Sequence, residues 1–86
     1  MPFTKTFSAT VAQQDIVAGS YTSRVTLRED AGGATTAYSI RRPNSSNMPV
    51  TMAAGVQYEI KGDFYPGQAL GTISVVTPAT FQQDEE

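Results

Sequence analysis

No cysteine, histidine or tryptophan occurs in this 86-residue chain, and leucine occurs at two positions, Leu27 and Leu70. Each gap removes a class of explanation. Without cysteine the fold owes nothing to disulfides, and thiol catalysis and thiolate metal sites are out. Without histidine the side chain best suited to proton transfer near neutral pH is missing. Charge is also scarce: charged residues make up 16% of the chain and the net charge is −2. A nucleic-acid binder normally shows a basic face, so no nucleic-acid partner is expected. No long apolar run is present, in the opening MPFTKTFSATVA or elsewhere, so no membrane partner is expected and synthesis in a cytoplasm is. Apolar residues still reach 40%, too many for a disordered chain.

With leucine nearly absent, the interior must come from Val, Ile, Phe, Tyr, Met and Ala, a mixture that favours strands. The patterning agrees, because apolar and polar residues alternate with period two along most of the chain. In FTKTFSATVA, Phe3, Lys5, Phe7, Ala9 and Val11 share one face, and Thr4, Thr6, Ser8 and Thr10 form a wet one. Residues 12–15 read as a polar turn. Tyr21, Ser23, Val25 and Leu27 alternate with polar neighbours, and Thr36, Tyr38 and Ile40 do the same after EDAGG, so the two segments read as a hairpin. RRPNSSN is a loop by composition, and Pro49 confines MPVTM to a sheet edge. Val56, Tyr58 and Ile60 point inward, GDFYPGQALG crosses over, and TISVVT and ATFQ are the last strands. Residues 82–86, rich in acid and amide, read as a frayed tail. The expectation is one all-β domain over residues 1–86, with an N-terminal strand or arm over 1–12. Its form is a compact antiparallel β-sandwich or small barrel, jelly-roll-like, of about six to eight short strands. So small a core, with no disulfide, commonly leans on oligomerisation.

Few residues offer chemistry. Asp15, Glu29, Asp30, Glu59 and Asp63 could in principle pair as acid and base. Glu29 and Asp30 instead read as solvated turn residues, and Glu59 as a cross-strand partner for Arg or Lys. Calcium wants six to eight closely spaced oxygens, and no such spacing is present around Asp30 or Asp63. The chain is therefore read as a non-enzyme with no metal and no cofactor. Arg41 and Arg42 point to opposite faces of a strand. Each either lays its stem on apolar surface or meets a carboxylate-bearing partner. Phe64 and Tyr65, in DFYPG, are either a lid on the core or anchors for a partner. Phe3, Lys5 and Phe7 form an arm that could add a strand to a partner's sheet edge.

From residue 16 to residue 77 the order of features resembles small bacteriophage virion proteins of the capsid decoration, cement or head-fibre type. Ala18, Ser20, Arg24, Pro49, Ala54, Gly55, Tyr58, Gly67, Gly71 and Val75 carry the likeness. The resemblance implies a structural virion protein, made in the bacterial host and placed on the capsid surface. It would bind the major capsid protein and associate with itself as a homotrimer, stabilising the head. A tail, neck or fibre component of such a particle, or a small carbohydrate- or receptor-binding module, are the alternative readings.

Overall fold

The structure is a computed structural model and describes residues 3–30, 38–43, 48–52 and 55–86. The described residues form eight strands: β1 (Phe3–Ala9), β2 (Gln14–Val17), β3 (Thr22–Glu29), β4 (Tyr38–Arg41), β5 (Val50–Met52), β6 (Tyr58–Phe64), β7 (Ala69–Val75) and β8 (Ala79–Glu85). They build two antiparallel four-stranded sheets, ordered β1-β8-β3-β6 and β2-β7-β4-β5. First pairs with last, second with seventh, third with sixth, and fourth with fifth. One long antiparallel ribbon has thus been rolled up until β8 also meets β3 and β7 also meets β4. That is the jelly-roll topology, a form of β-sandwich.

Rolling the ribbon sends every connection except β4–β5 from one sheet to the other. The segments on either side of EDAGG therefore do not form a hairpin, since β3 lies in one sheet and β4 in the other. Turn chemistry marks a reversal of the chain, and inward alternation looks the same whether the next strand lies beside the last or across the core from it. Residues 31–37, which carry most of that turn and Thr36, lie outside the described residues. The polar turn at 12–15 also shifts, because β2 already begins at Gln14.

The core lies between the sheets and is built from alternate residues. Val25, Leu27, Ile60 and Phe81 from one sheet face Ile16, Leu70, Ile73, Tyr38 and Ile40 from the other, all buried. Phe81 sits at the centre, with its ring stacked on Phe7 at 5.7 Å and edge-on to Tyr38 at 5.1 Å. Both geometries suit the ring quadrupole. The tyrosine hydroxyl needs a partner in this setting and donates to the backbone oxygen of Val56. Burial, and secondarily the negative charge of Glu29, push the Tyr38 phenol above its ordinary pKa.

The acidic end is not a tail. Residues up to Glu85 belong to β8, an interior strand of its sheet, paired with β1 on one side and β3 on the other. Gln83 and Glu85 continue the inward alternation begun by Phe81, and both are 1% exposed. Glu86 is also held, exchanging backbone hydrogen bonds with Arg24 at 2.9 and 3.2 Å.

Glu29 and Asp30 are not free turn residues either. Glu29 ends β3 with one carboxylate oxygen accepting from the Gly55 N–H at 3.1 Å. Its other oxygen is buried with no hydrogen-bond partner among the described residues. Asp30 accepts from Gln82 Nε2 at 3.3 Å and donates its N–H to the Thr80 oxygen at 2.9 Å.

Candidate functional site

At one end of the sandwich β2 passes to β3, β4 to β5 and β6 to β7. The register fixes this, since Val17 pairs with Ala69, Arg41 with Thr72 and Thr22 with Phe64. Phe3 and Glu85 lie at the same end. Tyr65-Pro66-Gly67-Gln68 forms a turn closed by the Gln68 N–H donating to the Tyr65 oxygen at 3.0 Å. Proline presets its second residue and Gly67, at φ +87°, supplies the left-handed third, the pattern of a type II turn. The side-chain oxygen of Gln68 accepts from the Tyr65 N–H at 3.2 Å and tightens the turn.

This turn is bonded to the neighbouring β2–β3 loop. Ala18 donates its N–H to the Gln68 oxygen at 2.9 Å, and Gly67 donates to the Ala18 oxygen at 2.7 Å. The β2–β3 loop is held again from below by Glu85. Its carboxylate accepts from the Gly19 N–H at 2.9 Å, the Ser20 N–H at 2.9 Å, the Ser20 hydroxyl at 2.7 Å and Gln83 Nε2 at 2.7 Å. Gln83 Nε2 also donates to the Val17 oxygen at 2.9 Å. Burial pushes the Glu85 carboxyl up. The hydrogen bonds from the Gly19 N–H, the Ser20 hydroxyl, Gln83 and the Ser20 N–H together outweigh it, and the group settles below its ordinary value. The β2 strand slips register between Ile16 and Val17. That slip turns backbone groups of residues 17–20 toward the interior, where a buried amide and carboxylate satisfy them.

An acid lability follows. Hydrogen bonds from Arg28, opposed by burial and aided by Thr4, likewise hold Asp84 below its ordinary value. Both carboxylates bind fewer protons folded than unfolded, so their contribution is complete above the unfolded values and is lost as pH falls through the folded ones. Stability is expected to decline below the ordinary glutamate value of 4.5 and to keep declining below 3.8. Urea midpoints between pH 7 and 2.5 measure it. Glu85→Gln should flatten the part of the profile that Glu85 supplies.

The end held in this way exposes large side chains. Tyr21 is 80% exposed, Tyr65 58%, Met48 87% and Val50 47%. Arg41 and Arg42 are exposed beside them. Tyrosine, methionine and arginine are the residue types enriched at the centres of protein interfaces.

The structure redistributes the residues expected to bind a partner. Arg41, Arg42 and Tyr65 reach this end. Phe64 does not serve as an anchor, because it is buried in the core with its ring against the backbone of Gly62. Phe3, Lys5 and Phe7 are not a free arm, since β1 is paired with β8 along its whole length. The Phe3 ring rests on Gly19. Lys5 turns inward to donate to the Val17 oxygen at 2.6 Å. Phe7 packs on Phe81.

Sequence reasoning missed Tyr21 and Met48. Alternation placed Tyr21 on the inner face, but the register slips between Thr22 and Arg24 and the phase is lost outside β3. The Gly19-Ser20 pair just before it was the available signal.

The opposite end, where β1 passes to β2, β5 to β6 and β7 to β8, exposes the smaller apolar side chains Val11, Val56 and Val76, and the sheet face between the ends is polar. The outer face of the β1-β8-β3-β6 sheet carries Arg28 on Asp84 at 2.8 Å, Thr4 on Asp84 at 2.8 Å, and Glu59 between Arg24 at 3.7 Å and Lys61 at 3.5 Å. The expected cross-strand role of Glu59 is met here. A shallow depression of about 330 Å³ opens on this face beside Arg24, Asp84 and Glu86, and another of about 250 Å³ lies along Ser39, Thr51 and Ser74. Asp30 and Asp63 lie at opposite ends of the sheet. Among the described residues no group of three or more acidic side chains could hold a metal ion.

Compared with protein-family profiles, curated proteins and solved structures, the chain matches none of them.

Proposed function

We propose that this chain is a non-enzymatic structural protein of a bacteriophage virion, with decoration of the capsid as its leading role. The observation that carries the proposal is the end bearing Tyr21, Tyr65, Met48 and Arg42, an exposed aromatic and basic surface on which the loops presenting Tyr21 and Tyr65 are bonded to each other, and the first of them to β8. Such a surface suits docking because little ordering remains to be done on contact. The jelly-roll order adds an argument by analogy, since viral coat domains often use it, although a fold does not by itself assign a function. The partner in this reading is the major capsid protein. A subunit that binds the expanded lattice and not its precursor stabilises the expanded state by mass action.

The test uses expanded empty shells of the phage that encodes the chain. Purified protein should co-sediment with them. Tyr21→Ala and Tyr65→Ala should each weaken binding about tenfold or more, as interface hot spots do, with unfolding midpoints unchanged because both side chains are solvent-exposed. Binding to tail tubes instead of shells would move the chain to the tail or neck. Competable hits on a glycan array that depend on Tyr21 and Tyr65 would favour a carbohydrate-binding module, the reading that two exposed tyrosines also serve.

A further inference from the structure

The two sheets end in four edge strands, β1, β6, β2 and β5. An open edge offers unpaired N–H and C=O groups to any other strand, and proteins usually blunt it with short length, charge, proline or a bulge. Three of the four are blunted in these ways. β5 has three residues and follows Pro49. β2 has four and slips register at its end. β6 carries Glu59, Lys61 and Asp63, and its pairing slips opposite Thr22 and Arg24. β1 differs. It runs seven residues in unbroken register with β8, and among the described residues no strand pairs its other edge. Its one charge, Lys5, points into the sandwich and is already bonded to Val17. Its outward side chains are Thr4, Thr6 and Ser8, all exposed.

We infer that β1 pairs antiparallel with β1 of a second copy, centred on Thr6, joining two sheets into one across a two-fold axis. The sequence of the strand selects both occupant and register. Centring on Thr6 uses every residue of β1 and places Thr4 opposite Ser8, Thr6 opposite Thr6, and Phe3 opposite Ala9. Hydroxyl pairs facing each other across strands are favourable. On the inner face Lys5 meets Phe7 of the second copy, so its aliphatic stem borders a half-buried ring while its ammonium stays on the Val17 oxygen. Centring on Lys5 would set two lysines directly opposite and leave Ser8 and Ala9 without partners in β1. Centring on Phe7 leaves Phe3 and Thr4 without partners. A two-fold contact of this kind is self-complementary and closes at the dimer, not at the trimer implied by the resemblance to decoration proteins. The inference is independent of the capsid reading and stands or falls on the free chain.

The absence of native cysteine makes the register directly readable. The wild-type chain at about 100 μM, a concentration that reveals even modest affinity, should sediment as a dimer. Under mild oxidation Thr6→Cys should give a covalent dimer, because residue 6 faces its own copy within disulfide reach. Thr4→Cys and Ser8→Cys should each stay uncrosslinked, since like positions would be about 13 Å apart along the strands. A mixture of those two variants should crosslink. As a second measurement, Thr6→Lys should weaken association and equimolar Thr6→Glu should restore it. A monomer at that concentration, a trimer that survives Thr6→Lys, or equal crosslinking at positions 4, 6 and 8 would overturn the inference.

Discussion

A chain ending at Gln82 should lose cooperative unfolding altogether. The missing residues look dispensable in composition, yet three of them, Gln83, Asp84 and Glu85, pair with both β1 and β3. Removing them detaches β1 from the rest of its sheet over the same span, and strips the carboxylate and amide that hold residues 17–20. Each part-buried hydrogen bond lost there costs about 1 kcal/mol, and more where the acceptor is charged. Together with the lost strand pairing this exceeds the lower part of the usual range of about 5–15 kcal/mol for domain stability. Far-UV circular dichroism and urea titration should show no sigmoidal transition for the truncated chain. Glu85→Ala alone should lower stability by about 1–3 kcal/mol, because a charged acceptor is removed from the part-buried donors of Gly19 and Ser20. A frayed segment would give a truncated chain indistinguishable from the full one.

Gly71→Ala should be nearly as damaging. Gly71 is buried in β7 at φ +146°, and an added Cβ would stand 2.4 Å from the Arg41 backbone oxygen on the neighbouring strand. That atom belongs to a paired strand and has nowhere to go. Overpacking of this kind costs about 1–3 kcal/mol and the unfavourable φ about as much again. A loss of about 3 kcal/mol or more is expected in the urea midpoint with the slope unchanged. Gly67→Ala is the control: its φ is +87°, but nothing lies within 4 Å of the added atom. It should lose only the backbone part, about 1–2 kcal/mol.

Alternation made the strands legible, and Val25, Leu27, Tyr38, Ile40 and Ile60 were grouped on single faces by period two alone. Sheet membership was not legible, because a turn reports a reversal and not the layer to which the chain returns. β8 was misread for a different reason. Composition treats Gln and Glu as solvent-facing, which holds on average. Here the inward positions after Phe81 face the orphaned backbone of Val17, Gly19 and Ser20, and only polar side chains satisfy those groups. The available clue was weaker: residues 79–85 run on past Phe81 with no Gly or Pro to stop a strand.

The candidate site was partly visible. Arg41, Arg42 and Tyr65 sit in or beside Pro- and Gly-marked loops, and such loops gather at the ends of a sandwich. Tyr21 was hidden by a register slip between Thr22 and Arg24, for which the Gly19-Ser20 pair was the only local hint. Phe64 illustrates the converse, since adjacent aromatics in one loop divide into one core residue and one exposed residue.

Glu85 connects these findings. It lies at the end of the strand that joins β1 to β3, and it fixes the loop that presents Tyr21, which is in turn bonded to the turn that presents Tyr65. The surface proposed to dock is therefore rigid because the last strand is in place.

If the virion proposal holds, cryo-electron microscopy of the particles whose genome encodes this chain tests it most directly. The account predicts density for this fold in many copies on the outer capsid shell, with the end bearing Tyr21 and Tyr65 turned toward the capsid subunits. Particles whose shells lack the chain, or shells that contact it through a sheet face with that end pointing to solvent, would contradict it.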